Sequence, residues 1–237
     1  MASKNYKSEL DDVFKKFYRF AKASQYRERE KDKISNATRT SINNSVSASS
    51  ASGEKRQELL SDARENADKA AEILLQLHHR LVNDFGRFWR QDLITQDQYG
   101  IPEQEIIEAF SILAILNQKP IPTRTINFQM REPNEYGKIK ASLTVSGQPY
   151  VFGLLDCVGE LDRILHDSLK NNQKKFLKQI LKKMEEMYTK LERFKEFPNR
   201  KNPLIKTKDH ANLKHRIDVC GGQIHRCRIL LQNKGIL

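Results

Sequence analysis

The sequence predicts an all-α fold: an antiparallel bundle of six to seven helices, forming a single domain over residues 1–237. Three observations carry that expectation. The length, 237 residues, suits one large domain and supports a core. There are ten glycines and seven prolines, about 7% of the chain where about 12% is usual. No proline precedes Pro102, and apolar residues recur at the three-and-four spacing of amphipathic helices.

The helices follow in order. Leu10, Val13, Phe14, Phe17 and Ala21 begin an apolar stripe, which runs into the alternating charges of RERE-KDK, able to pair along a solvated face. The stretch after Ile34 is serine-rich, yet Ile34, Ala37, Ser41, Ser45 and Ala48 keep the helical period with small residues. Continued helix to about Ser47 with a turn near Ser52-Gly53 is expected, and a flexible linker is the alternative. A second helix, with Glu54 and Glu58 near its positive end, carries Leu59, Ala63, Ala67, Ala70, Leu74, Leu77, Leu81, Phe85 and Phe88 to about Arg90. Pro102 opens a third helix, which Pro120 closes. Residues 120–148 break the period, and their loosely alternating β-branched residues suggest a long loop or a short hairpin. Pro149 opens a fourth helix. A fifth, from about Asn172 to Phe197, buries Phe176, Ile180, Met184, Met187 and Leu191. The sixth begins near Asp209 and carries Leu213, Ile217, Cys220, Ile224, Cys227 and Leu231.

Composition bounds the function. Forty-two Lys and Arg against 30 Asp and Glu leave a formal charge of +12 and a pI near 9.6. That excess favours an anionic partner, nucleic acid before a membrane surface. No apolar run approaches the roughly 18 residues of a membrane span, and no secretory signal is visible at the N-terminus. Three cysteines without CxxC spacing exclude a disulfide framework and point to a reducing, cytoplasmic setting. GxxxxGK[ST], GxGxxG and GxSxG are all missing, so phosphate-loop, dinucleotide and serine-hydrolase chemistry lack their motifs. His215, Cys220, His225 and Cys227 suggest zinc by composition. On a helix, however, the two cysteines join the apolar stripe while the histidines point elsewhere.

The chemistry that remains is carboxylate chemistry. On the third helix Glu105 and Glu108 lie about 60° apart, on the stripe of Ile101, Ala109, Ile112 and Leu116. Buried carboxylates must be paired, protonated or metal-bound, so pairing with Arg or Lys is the structural alternative to a site. On the fourth helix Asp156 and Glu160 share a face, flanked by Gly153 and Gly159 and continued by Arg163. Read alone, that face is a solvated one. The two glycines suggest a close helix approach, and Arg163 is ready to pair with an acid or a phosphate. Together the four acids offer an oxygen cage for Mg²⁺ or Mn²⁺, suited in a basic surround to phosphodiester hydrolysis. Arg80, Arg87 and Arg90, interleaved with Phe85, Phe88 and Trp89, offer phosphate contacts and base stacking; favourable charge at a helix C-terminus is their other reading.

Tyr150-Val-Phe-Gly153-Leu-Leu-Asp156-Cys-Val-Gly159-Glu160-Leu-Asp-Arg163 resembles the signature helix of the translin and translin-associated factor X family, on the translin-associated factor X side. Glu105-Ile-Ile-Glu108-Ala-Phe-Ser111 resembles its other acidic helix, and Arg87-Phe-Trp89-Arg90 its basic aromatic stretch. The resemblance covers about residues 5–235 and is weakest over 120–148 and the serine-rich end of the first helix. It implies a translin-like fold of about seven helices, ring-like oligomers (often octamers), and bound RNA or single-stranded DNA. In members that keep the four acids it implies a metal-dependent endoribonuclease. Here Glu105, Glu108, Asp156 and Glu160 match that acidic set, and Arg87 and Arg90 match the basic stretch. One chain holding both implies a homo-oligomer, as in a prokaryotic-type relative.

Overall fold

A single helix, α1 (Ala2–Ser50), runs through the serine-rich stretch without a break. The computed structural model describes residues 2–86, 100–131, 138–169, 173–195 and 207–237. The small residues of α1 explain its continuity. Ala37, Ser41, Ser45, Ala48 and Ser49 are buried, so neighbouring backbones approach where larger side chains would hold them off. Thr40 and Ser49 return their hydroxyls to carbonyls three or four residues back, which satisfies these side chains within the helix.

Ala51 and Ser52 form the turn, and α2 follows (Gly53–Phe85), Gly53 supplying a φ of +56° that other residues adopt at a cost. The two helices run antiparallel. Tyr26 donates to Asp84 at 2.6 Å near one end, and Arg56 donates to the carbonyl of Ala48 at 2.9 Å near the other. The α2 stripe packs as its period requires, with Ala63, Ala67, Ala70, Leu74, Leu77 and Leu81 buried. Two expectations need correction. α2 ends at Phe85 rather than near Arg90, because Gly86 takes a φ of +80°, a common helix terminator. The first part of the α1 stripe also stays outside: Val13, Phe14 and Phe17 are exposed, since α1 at Lys22 and Tyr26 is already level with Asp84 near the end of α2.

α3 (Ile101–Leu116) carries Pro102 in its first turn. It is buried along nearly its whole length, as its composition predicts. The 120–148 region contains an antiparallel hairpin, β1 (Thr125–Arg131) and β2 (Lys138–Thr144). Ile126 and Phe128 on β1 and Leu143 on β2 point inward, and Arg64 of α2 donates to the Asn127 carbonyl at 3.0 Å.

α4 (Gly147–Ser168) starts two residues before Pro149. α5 (Lys174–Glu192) is followed by a 3-10 turn over Arg193–Lys195, and α6 covers Thr207–Asn233. α5 and α6 are antiparallel, with Glu185 against Arg228 and Lys195 against Asp218. α4 and α6 run in the same sense, since Asp156, Leu155 and Asp162 meet Arg216, Cys220 and Cys227 respectively. The expected stripe of α6 is buried in full, both cysteines included, and His215 and His225 face solvent. Among the described residues no helix is long and apolar enough to cross a membrane.

Candidate functional site

The acidic helices meet at a glycine. A Cβ on Gly153 would lie 2.5 Å from the Gln104 carbonyl oxygen and 2.7 Å from Ile107 Cβ, so only glycine lets α4 lie against the backbone of α3 here. Gly159 plays no such part: a Cβ there would meet only Gln223 Nε2, at 3.9 Å. Of the two glycines flanking the acidic face, one sets the crossing.

The crossing brings the acids of both helices into one electrostatic group. Glu108, half-buried, is pushed up to about 7, first by burial and then by the Glu160 and Glu105 carboxylates, with Arg216 and Arg163 opposing. Burial also raises Glu160, which Arg163 partly offsets. Beneath them the fully buried Cys157 thiol is pushed well up, by burial first and then by Glu108 and Glu160. Asp156 and Glu160 are half-buried, not part of a fully solvated face.

Each acid has its own surroundings. Glu105 accepts from Ser35 at 2.8 Å and Thr38 at 3.2 Å, both on α1. Asp156 is held between Gln104 and Arg216. Arg163 Nη2 lies 2.8 Å from Glu160 Oε2, near enough for charge attraction, yet that buried oxygen accepts no aligned hydrogen bond. The Arg216 guanidinium stacks 4.7 Å from the Phe152 ring. Desolvation lowers its pKa, while the nearby Cys220 and Glu108 oppose that shift. In these side-chain positions the four acids do not place three oxygens within 4.8 Å of one another.

The expected basic residues divide. Arg163 joins the acidic group. Arg80 sits elsewhere, 4.0 Å from Glu30 and 5.4 Å over the Tyr26 ring. Arg87 and Arg90 lie outside the described residues. Periodicity did not single out Gln104, Arg216, Ser35 or Thr38. Each reaches the acids from 52 to 70 residues away in the chain, and the only local signal was that Arg216 adjoins the buried stripe of α6.

A match to the Translin family spans residues 16–227. The chain belongs to that family. Solved structures that share its fold include "Structure of AfC3PO - duplex RNA complex", 18% identical with a TM-score of 0.52, covering 96% of this chain and 93% of that one. "Crystal structure of AfC3PO" is 19% identical with a TM-score of 0.52, covering 96% and 94%. "Crystal structure of apo-NeC3PO" is 17% identical with a TM-score of 0.54, covering 95% and 96%. No curated protein matches. For a Translin-family chain the α3–α4 crossing is thus the place where the acidic segments of the sequence converge in space.

Proposed function

We propose that this Translin-family chain is a nucleic-acid-binding, metal-dependent endoribonuclease, a hydrolase acting within a ring-like homo-oligomer. An octamer is the expected ring. RNA is its substrate, and single-stranded DNA is a further ligand. The cytoplasm is its compartment, which three free thiols suit. One observation carries the reading: α3 and α4 touch at Gly153, and Glu108 on α3, raised first by burial, is raised further by the Glu160 carboxylate of α4 and by Glu105, with Asp156 one turn before Glu160. Family membership and the duplex-RNA complex of AfC3PO support it.

The donor set fits Mg²⁺ or Mn²⁺. It is made of oxygens alone, which hard cations prefer. It contains a buried Glu160 oxygen that accepts no aligned hydrogen bond, with only the charge of Arg163 near it, and a Glu108 carboxyl raised by burial and then by its neighbours, and a divalent charge adds attraction for both. Glu105, Glu108, Asp156 and Glu160 would hold the ion. When bound, such an ion neutralises phosphate charge and lowers the pKa of a bound water. The chain's own part is to position. Ser35 and Thr38 orient Glu105, Gln104 and Arg216 orient Asp156, and the half-exposed Arg163 can turn from Glu160 to a phosphate.

A second reading is a non-catalytic scaffold that binds single-stranded RNA or DNA. It is favoured by the protein partners Asp156 and Glu105 already have. Labelled RNA incubated with wild type, Glu108→Ala and Asp156→Ala in Mg²⁺, Mn²⁺ or EDTA separates the two. The enzyme reading expects cleavage by wild type alone, only with metal, and binding by all three proteins. Cleavage that survives both substitutions and EDTA would overturn it. Binding without cutting in every metal would select the scaffold.

A further inference from the structure

A second cluster of metal-ligating side chains lies further along α4, on the side turned to α6. Asp162 and His166 are one helical turn apart on α4, with His166 Nε2 3.4 Å from Asp162 Oδ1. Cys227 comes from α6 and donates its thiol to the same Asp162 oxygen at 2.9 Å. The carboxylate oxygen, imidazole nitrogen and sulfur all lie within 4.8 Å of one another.

An Asp-His pair at i, i+4 is common on helix surfaces and means little alone. Here the third donor comes from a different helix, is fully buried, and points at the pair. Cys220 provides the contrast within the same helix, since its thiol turns to the Leu155 carbonyl at 3.6 Å and it joins no group of three metal-ligating side chains among the described residues.

We propose that Asp162, His166 and Cys227 form a binding site for one borderline-soft divalent metal ion of the Zn²⁺ class, clipping α4 to α6. Tetrahedral ligation at the usual Zn–S, Zn–N and Zn–O lengths places donor atoms about 3.3–3.6 Å apart. The Asp162–His166 separation already has that value, and the Asp162–Cys227 contact reaches it by a small opening. Thiolate and imidazole select Zn²⁺ over Mg²⁺, so this site and the all-oxygen acidic group prefer different ions. Binding exchanges one proton: the ion takes the place of the thiol hydrogen that Asp162 now accepts, and H⁺ leaves to solvent. Carboxylate, thiolate and a divalent cation then sum to zero charge, which suits a half-buried place. Without metal the thiol holds its proton firmly, pushed up to about 12 by burial and then by Asp162, with Arg226 opposing. His166 is more than half exposed, which gives the ion an entry path and leaves a coordination position for water.

The test uses the full chain, stripped with chelator and titrated with Co²⁺ as an optical stand-in for Zn²⁺. The expected result is a thiolate-to-cobalt charge-transfer band that saturates at one ion per chain and disappears on adding Zn²⁺. Cys227→Ser should abolish the band, and Cys220→Ser should keep it. His166→Ala, at an exposed position that leaves folding intact, should weaken binding by at least about tenfold, the cost of losing an outer-shell partner alone. Glu108→Ala should leave the band unchanged, so this site can fail while the acidic one stands, and the reverse. A missing band in folded wild type overturns the proposal. So does a band that survives Cys227→Ser, or one that depends on Cys220. If Cys227→Ser does not fold by circular dichroism, unchanged affinity in His166→Ala overturns it instead.

Discussion

Gly153 lies directly on the backbone of Gln104: a Cβ at position 153 would stand 2.5 Å from the Gln104 carbonyl oxygen. Backbone cannot move aside as a flexible side chain can, so any larger residue forces α3 and α4 apart and with them the two acidic pairs.

Gly153→Ala should therefore destabilise the protein by about 1–3 kcal/mol, the usual cost of overpacking. Gly159→Ala, at a helical position where a Cβ meets only Gln223 at 3.9 Å, should be neutral or stabilising by up to about 1 kcal/mol. Thermal denaturation of the two variants side by side checks this. Equal losses would sever the link between Gly153 and the crossing.

Glu108 makes stability depend on pH. Its carboxyl sits at about 7 when folded against an ordinary value of 4.5, so the unfolded state gives up this proton more readily. Stability from this group is complete below about pH 4.5 and is lost as pH rises through about 7. Glu108→Gln in chelator should be more stable than wild type at pH 8, by about 1–3 kcal/mol, and should match it near pH 4. Denaturant titrations at both pH values measure the difference. A variant that gains stability as it loses cleavage has the mark of a functional site.

Arg216 and Asp156 form a half-buried pair that neither helix could satisfy alone. Arg216→Met keeps the stem near Phe152 but leaves Asp156 with Gln104 only, for an expected loss of about 1–3 kcal/mol. Combined with Asp156→Asn, the loss should be smaller than the sum of the two single losses. Strict additivity in that cycle would show that the pair contributes nothing.

Arg87 and Arg90 bear on nucleic-acid affinity. Replacing both by alanine should weaken RNA and single-stranded DNA alike, because phosphate contacts position without reading sequence. The slope of log K against log salt should become shallower by about 0.7 for each single-strand phosphate that is no longer neutralised. Titration of labelled strands at several salt concentrations, with circular dichroism to confirm folding, gives the answer. An unchanged slope in a folded double variant would remove the basic stretch from the interface.

Much of the helical framework was legible from the order of residues. The period of Ala63, Ala67, Ala70, Leu74, Leu77 and Leu81, and that of Leu213 through Leu231, named the buried faces of α2 and α6 correctly, because a helix fixes the angle between its own side chains. The same rule carried α1 through its serines and marked Glu105 and Glu108 as acids on a buried helix. It also set Cys220 and Cys227 into the core. Proline and glycine placed most of the breaks to within a few residues.

Which face meets which partner is not a periodic property, and there the chain order was silent. Asp156 meets Gln104 across 52 residues and Arg216 across 60, and Asp162 meets Cys227 across 65. No spacing rule spans such distances, since each contact depends on how two rigid helices cross. The stripe of Val13, Phe14 and Phe17 shows the limit in the other direction: its period is right, yet the residues remain exposed. A helix sets where its side chains point, and only the packing of its neighbours sets what they touch and how far they are desolvated. That desolvation is what separates Glu108, raised to about 7, from an ordinary surface glutamate.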